Sequence, residues 1–226
     1  MSKPTFGIDL GTTFSSIGYL SGTNPTIVGD ISGSKAIPSI VSYTDEYIIA
    51  GHPAAQMMGD NADTTIYDTK RMLGRRYSGD PEIERLRHEL PFDITCDPNT
   101  DEVLIQLPAN MNRGPKTIHP YEASAEILKY MIDLANETIP PKDRGMDCVV
   151  TVPANWGERP REETRKAARL AHLNINHLVN EPTAAAVAYR DQLLDEGQSS
   201  KKQTIIIFDF GGGTLDVSLM EMEGLK

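Results

Sequence analysis

Two short segments near opposite ends of the chain concentrate the residue types that handle phosphate. In FGIDLGTTFSSIGYL (6–20), Asp9 precedes Gly11, Thr12, Thr13 and Phe14. In IIFDFGGGTLDVSLM (206–220), Asp209 precedes Gly211, Gly212, Gly213, Thr214 and Asp216. Glycine leaves backbone N–H groups unshielded and tolerates angles that other residues resist. Threonine adds hydroxyl donors beside them. Clustered donors of this kind bind phosphate, and carboxylates hold Mg²⁺ directly or through its water. The paired segments therefore point to a polyphosphate gripped from two sides. Taken alone, the first is also compatible with a plain hairpin with a polar turn, and the second with a flexible glycine loop.

Two further residues could join this chemistry. Lys70 follows Asp68 and precedes Arg71, Arg75 and Arg76. Such a run is either a solvated basic face or the setting for a lysine that faces a phosphate. Glu181 precedes Pro182, which biases its backbone toward extended geometry and places it just outside a helix. An acid there either answers the helix dipole or projects into a cleft to hold metal-bound water.

The elements that must position these groups are legible as pattern. Each glycine segment reads as a β-hairpin, with strands over 5–10 and 14–20 in the first. Short strands are predicted at 26–28 and 39–43, and a short helix at 53–58 with Pro53 in its first turn. Residues 79–118 are rich in Pro, Asp and Asn with one alternating run, VLIQL at 103–107. The stretch 39–115 reads as an inserted α+β piece. Over 120–137, Ala123, Ile127, Met131, Leu134 and Ala135 share one helical face, opposite Glu122, Glu126, Lys129, Asp133 and Glu137. DCVVTV (147–152) is apolar enough to be a strand covered on both faces. Pro160 opens a helix to about 172, LNINHLVN leads into a strand, and TAAAVAYRDQLL continues a helix. The polar DEGQSSKK (195–202) reads as a linker between lobes. Strands alternating with helices late in the chain, after an initial hairpin, predict an α/β fold with a mixed sheet flanked by helices.

Composition narrows the class. The chain has 226 residues, 39% hydrophobic and 24% charged, with a net charge of −10. That size supports one large domain or two small ones, and the acidic balance argues against a nucleic-acid surface. Cys96 and Cys148 match no metal or redox spacing, so both are expected to be free thiols in a reducing compartment. No stretch approaches the roughly 20 apolar residues of a membrane span. MSKPTFGIDL lacks a signal-peptide core and EMEGLK is no retention signal, so the expected location is cytoplasmic or nucleocytoplasmic.

IDLGTTFSS, TIYDTKRMLGRR, VVTVPAN, VNEPTAAAVAY and IFDFGGGTLDVSL, in that order, closely resemble the seventy-kilodalton heat-shock chaperones (DnaK-like) across essentially the whole chain. The resemblance implies the actin-like, ribonuclease H-like ATPase fold, with ATP or ADP and Mg²⁺ as ligands. It implies that Asp9, Gly11, Thr12, Thr13 and Phe14 form a first phosphate loop, and Gly211, Gly212, Gly213, Thr214 and Asp216 a second. Lys70 would contact the γ-phosphate. Asp9, Glu181 and Asp209 would hold Mg²⁺ through water, with Asp209 also polarising the attacking water. Pro153, Arg161 and Glu181 match positions that relay nucleotide state to a client-binding domain. Implied partners are unfolded polypeptides, J-domain co-chaperones and nucleotide exchange factors, with no nucleic acid or membrane, in protein folding and the stress response.

The same resemblance sets three expectations that differ from an intact chaperone. Residues 1–190 would be a first lobe, 203–226 the beginning of a second, and the client-binding domain would lie outside the chain. ATP binding by these 226 residues would be weak or absent, leaving a non-catalytic interaction module as the alternative function. The last hairpin would be disordered, repositioned or paired between molecules through exposed edges. Phe14 stands where the family usually has a hydroxylated aromatic, and Asn155 and Trp156 where Tyr and Phe are common.

Overall fold

A computed structural model of the chain describes residues 4–109, 116–140, 144–195 and 202–222. The chain opens with β1 (Phe6–Asp9), β2 (Phe14–Ser21), β3 (Asn24–Ile27), β4 (Ile37–Pro38), β5 (Val41–Tyr43) and β6 (Ile48–Ala50). The middle portion contains α1 (His52–Met57), β7 (Thr65–Ile66), a 3₁₀ turn (Thr69–Arg71), α2 (Pro81–Glu89), β8 (Asp93–Cys96), β9 (Val103–Gln106) and β10 (Thr117–Ile118). The remainder comprises α3 (Pro120–Glu137), β11 (Asp147–Val152), α4 (Glu158–Leu170), β12 (Asn174–Asn180), α5 (Glu181–Asp195), β13 (Gln203–Phe210) and β14 (Leu215–Met222).

The main sheet runs β12-β11-β1-β2-β3, with β4 paired to β2. Its β1–β11 and β11–β12 pairings are parallel, while β1–β2 and β2–β3 are antiparallel. The sheet is therefore mixed, with Asp9 beside Thr151 at the ends of two parallel strands. Phe6, Ile8, Ile17, Cys148 and Val150 of this sheet join Ile127, Met131 and Ala135 of α3 in one core. All five apolar positions expected on the α3 face are buried. Pro120 occupies the first turn, and the Glu122 carboxylate accepts the His119 backbone N–H at 2.6 Å, closing the helix start.

Several expectations need correction. β11 is covered on one face only: Cys148, Val150 and Val152 are buried, whereas Asp147, Val149 and Thr151 are half-buried. In 79–118, where the sequence singled out only the run at 103–107, the described residues also include a helix and two more strands. Asp80 caps α2 by accepting the N–H groups of Glu82 (2.9 Å) and Ile83 (3.3 Å), and Ile83 and Leu86 bury its inner face. β8, β9 and β10 form a three-stranded sheet beyond it. Glu181 is the first residue of α5 rather than the residue before it; Pro182 then sits in the first turn, where its missing N–H costs nothing. The anticipated linker falls mostly at 196–201, outside the described residues.

The last hairpin is ordered. β13 and β14 pair in continuous register from Gln203–Met222 to Phe210–Leu215, as a two-stranded sheet of their own. One face packs on α5. The other displays Ile206, Phe208, Phe210, Leu215, Val217 and Leu219, each more than half exposed. Cys96 and Cys148 are both free thiols.

Candidate functional site

The turn after β1 is built around Gly11, where a β-carbon would collide with the carbonyl oxygen of Phe14. A closed ring of hydrogen bonds fixes the turn. The Gly11 N–H donates to Ser15 Oγ (3.1 Å), the Ser15 hydroxyl to Ser39 Oγ (2.8 Å), and the Ser39 hydroxyl to the Gly11 carbonyl (2.8 Å). Ser15 and Ser39 are buried, and the Ser39 N–H also holds the Thr13 carbonyl at 2.9 Å. Asp9 is exposed at the strand end and accepts a bond from Thr151 Oγ1 at 2.8 Å. Phe14 opens β2 opposite Pro38 and is 53% exposed.

The turn between β13 and β14 faces the first. Asp209 and Asp216 stand opposite each other across the hairpin, and the Gly211 N–H closes the tip on the Thr214 carbonyl at 3.0 Å. A β-carbon on Gly212 would overlap the Thr13 hydroxyl, and one on Gly213 would lie 3.5 Å from Thr12 Cγ2. The two glycine tips therefore touch.

Lys70 rides on the 3₁₀ turn after Asp68, whose φ of 59° is left-handed. The buried contact between Thr69 Oγ1 and Ser124 Oγ (3.2 Å) ties this turn to α3. Lys70 Nζ meets Glu181 Oε1 at 2.6 Å, and each side chain is only 12% exposed. The neighbouring arginines are occupied elsewhere. Arg71 pairs with Asp68 and Glu82, Arg75 pairs with Asp80, and Arg76 donates to the Thr100 carbonyl. Lys70 is more enclosed than Arg71, which is 18% exposed, but Arg71, Arg75 and Arg76 line the same cleft as Lys70, so the run is neither wholly solvated nor reduced to one inward lysine.

Burial pushes the Glu181 carboxyl above its ordinary range; the charge and hydrogen bond of Lys70 pull it back, and the charges of Asp9 and Asp209 push it up again. Glu181 thus has one ammonium in contact and two further carboxylates near enough for their charge to be felt. Lys70, Glu181, Thr12, Thr214 and Asp216 line a shared cleft of about 890 Å³. Pro153 and Trp156 form part of its wall. Arg161 sits behind that wall, donating to the Trp156 carbonyl (3.0 Å), the Pro153 carbonyl (3.5 Å) and Asn180 Oδ1 (2.8 Å).

Among the described residues, no three His, Cys, Asp or Glu side chains stand close enough together to ligate a metal directly. The donor set fits a hydrated Mg²⁺ instead: the charges of Asp9 and Asp209 both act on Glu181, whose one contacting cation is Lys70. Ser15, Ser39, Thr151 and Asn180 were not singled out by sequence reasoning. Ser15 stands in the quoted IDLGTTFSS segment, but its partner is distant in the chain.

The family model for Hsp70 protein matches residues 5–225. The chain belongs to the Hsp70 family, and its mixed sheet with flanking helices is the α/β, actin-like ATPase fold of that domain. A curated heat shock protein of Pyricularia oryzae is 35% identical over 218 residues, covering 96% of this chain and 34% of the relative. The chain thus spans about a third of the length of the curated relative it matches. Among the described residues, no helix is long and apolar enough to cross a membrane.

Proposed function

We propose that these residues form the triphosphate and Mg²⁺ subsite of a cytoplasmic chaperone ATPase. The reading is carried by one observation: the Lys70–Glu181 pair, 2.6 Å apart, lines the same cleft as Thr12 of the first turn and Thr214 of the second. Phosphoryl transfer needs positioning and charge neutralisation more than covalent help. The N–H groups and hydroxyls of Thr12 and Thr13 grip the phosphates from one side and those of Gly212, Gly213 and Thr214 from the other, while Gly11 and Gly211, whose N–H groups are bonded within their turns, let the backbone come close. Lys70 offsets charge on the γ-phosphate. Asp209, exposed at the end of β13, orients the attacking water and accepts its proton. Asp9, Glu181 and Asp209 hold Mg²⁺ through water, and bound Mg²⁺ supplies further charge neutralisation at the phosphates. Pro153 and Arg161, bonded to the wall beside Glu181, transmit nucleotide state toward the client-binding part of the whole protein. Its partners are then unfolded polypeptides, J-domain proteins and exchange factors.

Calorimetric titration of Mg·ATP, with phosphate release compared between the wild type and Lys70→Ala, tests this. Turnover by the whole protein that falls at least a hundredfold in Lys70→Ala supports the reading. Equal turnover in both sinks it. A non-catalytic interaction module is the second reading, favoured by the exposed apolar face of β13–β14. It predicts no heat of Mg·ATP binding.

A further inference from the structure

We propose that Trp156 is a positioning residue for Lys70, its indole face serving as a second seat for the lysine ammonium. The proposal rests on the reading of Lys70 as the lysine that faces phosphate. Lys70 Nζ lies 2.6 Å from Glu181 Oε1 and 5.8 Å from the centroid of the Trp156 ring. A cation within about 6 Å of an indole centroid is attracted by the ring's negative face, and Trp is the strongest such partner. The ammonium therefore has two holds of different chemistry, one charged and one neutral.

The neutral hold has a specific use. Glu181 stands beside Asp9 and Asp209, and a carboxylate that also orients metal-bound water cannot keep Lys70 as its sole partner. When Glu181 turns to other work, the indole keeps the ammonium at the cleft wall rather than releasing it to solvent. An aliphatic residue at 156 would shield the pair from water equally well but would not attract the cation.

Trp156 is itself held by the element that borders the site. Its backbone N–H donates to the Pro153 carbonyl at 3.2 Å, and its carbonyl accepts Arg161 Nε at 3.0 Å. Arg161 also binds Asn180 Oδ1 at 2.8 Å, and Asn180 precedes Glu181. Lys70, Trp156, Arg161, Asn180 and Glu181 form a closed circuit. A shift of the 153–156 turn moves both seats of the lysine together.

Trp156 is the sole tryptophan, so its emission reports this contact without labelling. A protonated amine against an indole quenches its emission by giving a proton to the excited ring. In the ligand-free chain, Lys70→Met is expected to brighten Trp156, and Glu181→Gln to dim it, because the freed ammonium settles on the ring. No change in Lys70→Met, or a change of the same sign in both variants, overturns the proposal. In the whole protein, Trp156→Leu is expected to lower kcat/KM for Mg·ATP about three- to tenfold, with Trp156→Phe recovering most of the loss. Equal losses in Leu and Phe overturn it. Absence of turnover in the wild type would sink the ATPase reading while the ligand-free emission still decides the role of Trp156.

Discussion

Thr13 and Gly212, from opposite ends of the chain, are in direct contact: a single β-carbon on the glycine would overlap the threonine hydroxyl. The next glycine has more room, since a β-carbon there would lie 3.5 Å from Thr12 Cγ2. The two positions should therefore respond differently to one added methyl group. Gly212→Ala is expected to part the tips and accelerate amide exchange in β13–β14 about tenfold, in line with the cost of overpacking. Gly213→Ala should leave exchange close to wild type. Equal acceleration in both would mean that the tips are not in register as described.

The Lys70–Glu181 pair leads to a stability prediction independent of any ligand. Removing the lysine leaves a largely buried carboxylate beside Asp9 and Asp209. Lys70→Ala is expected to lose about 3 kcal/mol at neutral pH, at the low end for a broken buried pair because the site borders an open cleft. Lys70→Ala combined with Glu181→Gln should recover most of that loss. Urea denaturation of the single and double variants checks both.

The hydroxyl ring through Ser15 and Ser39 fixes the first glycine turn from beneath. Ser39→Ala deprives the Gly11 carbonyl and Ser15 Oγ of a buried partner at once. The expected loss is about 1–3 kcal/mol. Because the two serines share one network, Ser15→Ala added to Ser39→Ala should cost less than the sum of the separate losses.

Asp30 provides a pH signature away from the cleft. The Ser32 hydroxyl chiefly holds its carboxyl below the ordinary 3.8; burial opposes this, and the Ser32 and Ser34 N–H groups and His52 reinforce it. A depressed folded pKa contributes stability that is present above 3.8 and lost as pH falls through the folded value. Wild-type urea midpoints should drop below about pH 4 more steeply than those of Asp30→Asn. Parallel acid limbs would contradict the assignment.

The parts that sequence reasoning reached are those encoded locally. The α3 stripe from Ala123 to Ala135 repeats at helical spacing, and the predicted span matches the helix. β11 falls on the expected residues 147–152, but its apolar run does not say that only one side is closed. α2 escapes a periodicity reading because only Ile83 and Leu86 face the core among charged neighbours, although Asp80-Pro81 is a cap signal that could have revealed it. The site divides the same way. Glycines at 11 and 211–213 announce themselves by composition. The bond between Lys70 and Glu181 spans 111 residues, and that between Ser15 and Ser39 spans 24. Contacts at such separations have no period or motif of their own; they follow from sheet topology. Trp156 beside Lys70 is of that kind, since only the fold brings the two together.

The outward face of β13–β14 sets a contest between two forces of different range. Copies carrying ten negative charges repel one another over a Debye length, about 10 Å in 0.1 M salt. The adhesion of Phe208, Phe210, Leu215 and their neighbours acts only at contact. Raising salt to 1 M shortens the repulsion to about 3 Å and leaves the adhesion intact. The colloidal behaviour of this chain should therefore run opposite to that of a protein held together by ion pairs. It disperses in dilute buffer and clusters as salt is added, and Phe208→Ser on the hairpin blunts the response in light scattering.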